Sequence, residues 1–506
     1  MRGSGAAETA EDLVTYILAI DQSTQSTKVM IFNHSAELID SASKAHEQIF
    51  PSPGWVEHDA EQIYANLLTA MSELKARNPA AFAQAACLSV TNQRETIVVF
   101  EKGSGKPLSN AIVWLDRRGE PFCAELRGGA DERTVEKKTG LRVDTYFPAS
   151  KLTWLTRNNP AVAAELKSGS ALIGTIDTYL IYRLTGGKVY ATDPTNASRT
   201  LFYHIDRLNW DEELIRIFGL EIAELPEIRE SASVFGETDL NGLLSKPIPI
   251  AGVMGDSQAA LFAERCYEPG MAKITFGTGS SVLMNIGDKR IRSGNGIVNA
   301  LAWVLDGKPT YAFEGITNFT GATISWMQNR MNLIEKPEES ETLARSVPDN
   351  GGVYLVPAFV GLGAPYWRAD VKGAIFGLTP GVTRAHVVRA GLEGIAFTVT
   401  DVIRIMEKDA GVPLKCLFAD GGPVRNSFLM QFVADINRRE LHASSLPELS
   451  ALGAAFSGGL AIGIYKNIDV LHKINTSVKV YEPKMKDSEV EKLFSGWAKV
   501  IHKILS

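Results

Sequence analysis

Carboxylates, hydroxyls and glycines gather at three short turns that lie far apart in the chain, each following an apolar run of strand character. Asp21-Gln22-Ser23-Thr24-Gln25-Ser26-Thr27-Lys28 follows residues 16–20. Phe276-Gly277-Thr278-Gly279-Ser280-Ser281 follows 271–275, and Asp420-Gly421-Gly422-Pro423-Val424-Arg425-Asn426 follows 416–419. A strand that ends in glycine, serine and threonine brings bare N–H groups and hydroxyls close to an anion. Any one of these is equally a plain polar turn. Placed early, midway and late, the three together point to a nucleotide held between two halves of a protein. In the first, Asp21 suits Mg²⁺, which keeps several waters and takes one or two carboxylates, while Thr24, Gln25 and Ser26 offer donors. Thr278 lies between the glycines of a second phosphate clamp. Gly422 permits close approach of a flat ring or ribose, with Asn426 as a donor beyond it.

A second group of residues suits an alcohol substrate. Within Thr91-Asn92-Gln93-Arg94-Glu95-Thr96, Arg94 supplies fixed donors and Glu95 an acceptor, the pairing that grips vicinal hydroxyls. The alternative is a surface ion pair of little worth. Trp114 either walls off a carbon skeleton or packs in the core, and Tyr146 either donates its hydroxyl to a substrate or is simply buried. Asp256, in Gly255-Asp256-Ser257-Gln258, opens a helix. A carboxylate there is a general base for a hydroxyl or a helix cap. Beside three phosphate turns and an Arg–Glu pair, the base reading leads. Two other nucleotide signatures fail: Gly103-Ser104-Gly105-Lys106 is followed by Pro107 with Phe100 at the first glycine position, and Gly361-Leu362-Gly363 lacks a third glycine.

The elements that must carry these groups alternate between strand-like and helical, which predicts an α/β fold. Strands are expected at 16–20, 28–32, 86–90 and 96–100, and helices at 60–75, 387–407 and 489–505. At 506 residues, two domains are expected. A boundary falls near 252–270, where the small-residue helix 259–264 ends at Glu268-Pro269-Gly270. A related helix, 451–456, sits late in the second half; with a strand–turn–strand early in each half, the pairing hints at a duplicated unit with two helices packed closely at a hinge. With 45% hydrophobic and 22% charged residues the chain has the composition of a globular enzyme. Its formal net charge of −6 argues against nucleic-acid binding, and no run of about 18 apolar residues predicts a membrane span. Residues 1–14 read as a loose tail. Cys87, Cys123, Cys266 and Cys416 have no paired spacing, which suits free thiols in a reducing, cytoplasmic setting.

Longer stretches resemble the FGGY carbohydrate kinases of the actin-like ATPase superfamily, and among them the glycerol kinases. They include Pro-Gly-Trp-Val-Glu-His-Asp (53–59), Thr-Asn-Gln-Arg-Glu-Thr (91–96), Asn-Ala-Ile-Val-Trp (110–114) and Thr-Asn-Ala-Ser-Arg-Thr (195–200). Gly-Leu-Gly-Ala-Pro-Tyr-Trp (361–367) and Asn-Ser-Phe-Leu-Met-Gln-Phe (426–432) continue the resemblance, which spans nearly the whole chain. It implies two actin-like, ribonuclease H-like α/β domains, 15–262 binding a polyol and 263–506 binding the nucleotide, with a cleft between them. ATP and Mg²⁺ are the implied cofactors, a small polyol the implied partner, and a cytoplasmic homo-oligomer, dimer or tetramer, the implied assembly. Asp256 takes the place of the base; Arg94, Glu95, Trp114 and Tyr146 form the acceptor pocket. Thr24, Ser26, Thr278, Gly321, Gly422 and Asn426 contact nucleotide, and Asp21 lies near the metal. The chain departs from the family at Ser257 and Ser325, where glutamine is usual, and at Ser281, where an aromatic is usual. The implied reaction is transfer of the γ-phosphoryl group of ATP to a terminal hydroxyl of glycerol, with a longer or more oxygenated acceptor, suited by Ser257 and Ser281, as the alternative. The glycine-arginine loop and phosphorylatable histidine that regulate some relatives are not evident between 229 and 250, so neither control is expected.

Overall fold

A computed structural model describes residues 15–444, 446, 448–474 and 478–506. The expected tail, 1–14, lies outside them. Two β-sheets organise the chain. The first contains β1 (Tyr16–Gln22), β2 (Ser26–Asn33), β3 (Leu38–Ala45), β4 (Ala85–Asn92), β5 (Val234–Thr238) and β6 (Ile248–Gly255), in the spatial order β5-β6-β4-β1-β2-β3. β1 is buried almost throughout, as befits a central strand covered on both faces. β3 alternates between exposed and covered positions, as befits an edge. The second contains β7 (Met271–Phe276), β8 (Ser280–Gly287), β9 (Val298–Leu305), β10 (Lys308–Thr317), β11 (Cys416–Gly421), β12 (Leu441–Ser444) and β13 (Val478–Tyr481), ordered β9-β10-β8-β7-β11-β12-β13.

The same unit underlies both sheets. In each, an antiparallel hairpin (β1–β2; β7–β8) leads to a third antiparallel strand (β3; β10). The first strand of the hairpin also pairs in parallel with β4 or β11. A second parallel strand (β6; β12) and an antiparallel edge (β5; β13) complete each sheet. The helices repeat as well. α1 (Ala60–Arg77) and α4 (Arg384–Ala410) make the crossovers from the third antiparallel strand to the first parallel one, and α2 (Asp256–Ala263) and α6 (Leu449–Ala461) follow the second. α5 (Ser427–Asn437) joins β11 to β12. α1 begins where Asp59 Oδ1 accepts the backbone N–H groups of Glu61 and Gln62, and α4 ends at left-handed Gly411.

The small-residue helices meet face to face. A Cβ placed on Gly453 of α6 would lie 1.8 Å from the Ala259 carbonyl of α2, and one on Gly458 would lie 2.4 Å from the Ala251 carbonyl of β6. Only glycine admits this approach. α2 leaves the first sheet for the second, and α6 returns from the second to pack on β1, β4 and β6. The four cysteines are free thiols. Among the described residues no helix is long and apolar enough to cross a membrane.

Candidate active site

Parallel strands that end side by side deliver their following residues to one crevice. Asp21 pairs in register with Thr91, and Asn92 with Gly255, so Asp21, the Arg94-Glu95 turn and Asp256 emerge from three adjacent strand ends. In the second lobe Thr275 pairs with Asp420 and Phe276 with Gly421, which sets the second and third turns beside each other.

Arg94 organises the cluster at the first lobe's strand ends. It is buried, and its Nε lies 3.3 Å from Asp256 Oδ1 and 3.9 Å from Glu95 Oε1. Nη1 donates to Gln258 Oε1 at 3.1 Å, and Nη2 donates to Glu314 Oε1 at 2.7 Å. Arg199 closes the ring: its Nε donates to Glu95 Oε1 at 2.6 Å, and its Nη1 lies 2.6 Å from Glu314 Oε2. The four alternating charges are all buried, so the surface ion pair is ruled out for Arg94-Glu95. Burial alone would raise the Glu314 carboxyl, but Arg199 and Arg94 overcome it and hold it down at about 2. For Glu95 burial prevails, and its carboxyl is raised although Arg94 and Arg199 oppose the shift. Glu95 has a left-handed backbone (φ 62°), a strained geometry for glutamate of the kind held at functional sites.

Asp256 is the first residue of α2, and Gly255 is its cap. Its Oδ1 accepts the Ser257 N–H at 2.7 Å, yet the side chain remains 39% exposed to the crevice. A carboxylate steered by a buried guanidinium and open to solvent is free to meet a ligand hydroxyl. Trp114 and Tyr146 form a wall, their rings edge to face at 5.5 Å. Lys151, fully buried, donates to the Tyr146 carbonyl at 2.8 Å and the Trp114 carbonyl at 3.4 Å, fixing both ends of that wall. Burial pushes the Lys151 ammonium down to about 7, and burial, followed by the Glu95 charge, pushes the Tyr146 phenol up. Trp114 Nε1–H donates to Thr24 Oγ1 at 3.0 Å, so this wall is tied to the first phosphate turn.

That turn is a tight hairpin, Ser23 N–H donating to the Ser26 carbonyl at 2.9 Å with Thr24 and exposed Gln25 at its tip. Asp21 is buried at its base. Burial, then the charges of Glu448 and Asp256, raise its carboxyl to about 7, with Lys28 opposing. Lys28 itself pairs with Glu448 at 2.7 Å. A carboxylate made reluctant to ionise by burial and by neighbouring carboxylates fits a divalent cation, whose charge reverses that reluctance. Among the described residues no group of three or more His, Cys, Asp or Glu forms a protein-only metal cage.

The second and third turns are built on glycines. A cavity of about 780 Å³ is lined by Gly321, Ser325, Gly422 and Asn426, with Glu341 and Arg345 on its rim. Gly321 N–H donates to the Gly277 carbonyl at 3.0 Å, and a Cβ on Gly321 would lie 2.5 Å from that carbonyl oxygen. Gly421 (φ 95°) would bring a Cβ within 2.1 Å of the Phe276 carbonyl, whereas Gly422 faces open space. Thr278 holds the start of the helix Gly321–Asn329 through its carbonyl, which accepts from Thr320 N–H at 2.9 Å. Asn426 is partly engaged: its Oδ1 accepts the Leu429 N–H and its Nδ2 donates to Ser340 Oγ. The first turn, on the opposite lobe, does not line this cavity.

Ser257 is half-buried beside Asp256, and the Ser281 hydroxyl is buried with no hydrogen-bond partner. Sequence reasoning did not single out Glu314, Arg199, Lys151, Gln258 or Glu448. For Glu314 the signal was a lone carboxylate in the apolar run Tyr311-Ala312-Phe313-Glu314-Gly315.

Comparison with known proteins adds to this geometry. The FGGY family of carbohydrate kinases matches through its N-terminal domain over residues 16–263 and its C-terminal domain over 272–462. The chain is 43% identical to a glycerol kinase of Desulfitobacterium hafniense, covering 97% of this chain and 99% of the relative. It is 45% identical to one of Carboxydothermus hydrogenoformans, with 96% and 97% covered. The crystal structure of Plasmodium falciparum glycerol kinase with ADP superposes with a TM-score of 0.93 at 38% identity, over 97% of this chain and 99% of that one. A gluconate kinase from Lactobacillus acidophilus, at 22% identity and a TM-score of 0.88, shares the fold.

Proposed function

The chain belongs to the FGGY family of carbohydrate kinases, and from that membership we propose that it transfers the γ-phosphoryl group of ATP to a terminal hydroxyl of glycerol, giving glycerol 3-phosphate and ADP. The observation that carries this reading is the half-exposed Asp256 carboxylate held 3.3 Å from buried Arg94, beside the Trp114–Tyr146 wall. Asp256 accepts the proton of the attacking hydroxyl as the new O–P bond forms. Arg94 and Glu95 orient the remaining hydroxyls, and the wall excludes water from the carbon chain. Asp21 would hold Mg²⁺, which when bound would supply neutralisation of the phosphate oxygens. Thr24, Gln25 and Ser26 on one lobe and Thr278, Gly321, Ser325, Gly422 and Asn426 on the other grip the nucleotide. Closure of the two lobes about the contact of α2 with α6 brings these groups together. Glycerol-dependent ADP release tests the reading, and no stimulation of that release by glycerol would refute it.

A second reading rests on the unpartnered Ser281 hydroxyl and on Ser257: the same chemistry on a four- or five-carbon polyol or ketose. Comparing kcat/KM for glycerol, erythritol, ribitol, xylulose and dihydroxyacetone separates the two. A preference for glycerol of about tenfold or more, equivalent to about 1.4 kcal/mol, disposes of the larger substrates.

A further inference from the structure

A second crevice, of about 360 Å³, lies in the seam between the lobes and shares no residue with the acceptor pocket or the nucleotide cavity. One wall is the segment 130–142 of the first lobe, which contributes Arg133, Lys137 and Arg142. The other follows β8 in the second lobe and contributes Arg290 and Arg292. Five cations thus face one small space with a single lining carboxylate, Glu136. This occurs on a chain whose formal net charge is −6.

The cations differ in how they are satisfied. Arg290 is structural: its side chain is 5% exposed, pairs with Asp206 at 2.8 Å, and donates across the seam to the Lys137 carbonyl at 3.0 Å. Arg142 is held over the Trp367 ring at 5.2 Å, also across the seam. Among the described residues, Arg133, Lys137, Arg142 and Arg292 have no carboxylate within ion-pair distance. Unpaired like charges around one cavity repel each other until an anion enters, and arginine forks match the oxygens of a phosphate. The volume suits a small molecule, and the acidic surface elsewhere disfavours a nucleic acid.

We propose that this crevice binds a small phosphate-bearing anion at a site separate from catalysis. Because its walls come from both lobes and already touch through Arg290 and Arg142, the bound anion bridges them and favours the arrangement in which they meet.

Inorganic phosphate is the probe, titrated by calorimetry into the full chain and compared with chloride at matched ionic strength. The wild type is expected to bind phosphate, and the exposed-site double variant Arg142→Ser/Arg292→Ser to bind it at least about tenfold more weakly, a loss of about 1.4 kcal/mol. The variant's cooperative melting in chloride and its ADP binding report that the fold and nucleotide cavity are intact. Lys137→Gln, a milder change in the same crevice, serves if the double variant is unstable, and is expected to weaken phosphate binding in the same direction. Unchanged phosphate affinity in either folded variant, or no phosphate binding by the wild type, would overturn the proposal. None of these outcomes depends on which alcohol the enzyme phosphorylates.

Discussion

The floor of the proposed acceptor pocket and the wall of the proposed nucleotide cavity are built by opposite means. The floor is crowded with charge: Arg94, Glu95, Arg199 and Glu314 form a buried alternating ring drawn from both lobes, which leaves Asp256 with a defined neighbour and an open face. The nucleotide wall is defined by side chains that are missing, since Gly321 and Gly421 let backbones approach where any Cβ would collide. A ring of charges fixes direction, which suits a small acceptor whose one hydroxyl must face one base. A glycine wall fixes distance, which suits a phosphate chain read by backbone N–H groups.

The largest effect is expected at the open face of the floor. Asp256→Asn keeps the shape and the contact with Ser257 N–H but removes the proton acceptor, so kcat falls by on the order of 10²–10⁴. The KM for glycerol changes little. Near-normal turnover would take Asp256 out of the base role and leave the ring with nothing to aim.

Next comes the ring itself. Glu314→Gln leaves two buried guanidinium groups undercompensated, and unfolding by denaturant is expected to show a loss of about 3–5 kcal/mol at pH 7. The pH dependence follows from the lowered Glu314 carboxyl. A carboxylate with a depressed folded-state pKa contributes stability that is complete above its unfolded value, 4.5, and is lost as pH falls through about 2. The gap between wild type and variant is therefore constant from pH 7 to about 4.5 and narrows below it. An equal gap at pH 7 and pH 3 would show that charge pairing is not what the ring contributes.

Gly421→Ala tests the contrasting wall. The new Cβ would meet the Phe276 carbonyl at 2.1 Å in a left-handed backbone, so the third turn must shift. The strain is expected to cost about 1–3 kcal/mol of stability. KM for ATP is expected to rise about tenfold while KM for glycerol stays the same. If both constants move together, the two walls are not independent.

Much of this contrast was legible in the sequence, and the division has a physical cause. The glycine turns announce themselves because glycine has few other reasons to cluster after a strand. Arg94, Glu95, Trp114, Tyr146 and Asp256 were found as residue types suited to an alcohol, and in the structure Arg94 meets both Glu95 and Asp256 while Trp114 packs against Tyr146. The duplicated sheet was visible only as a hint, from a strand–turn–strand early in each half and from α2 and α6, since strand order depends on pairings between distant segments. Glu314 and Arg199 could not be assigned by spacing, because they lie 220 and 105 positions from Arg94 in the chain and join its cluster only in the folded protein. Lys151 sits within an otherwise ordinary helix, Pro148–Asn158, and its role exists only where its ammonium reaches two carbonyls.

The smallest expected effect asks whether the two regions are coupled at all. Trp114 belongs to the acceptor wall and Thr24 to the first phosphate turn, and one hydrogen bond of 3.0 Å joins them. Trp114→Phe keeps an aromatic face toward Tyr146 but removes the indole donor. Thr24→Val keeps the shape of the threonine but removes the acceptor. A hydrogen bond of this kind contributes about 0.5–1.5 kcal/mol, so each change alone is expected to lower kcat/KM only a few-fold. The informative quantity is the interaction energy in the double variant. If the bond carries position from the phosphate turn to the acceptor wall, the second change costs much less once the first is made, for ATP and glycerol alike. Strict additivity would mean that the floor and the phosphate turn are set independently, each by its own strand end, and that the hydrogen bond merely satisfies a buried indole.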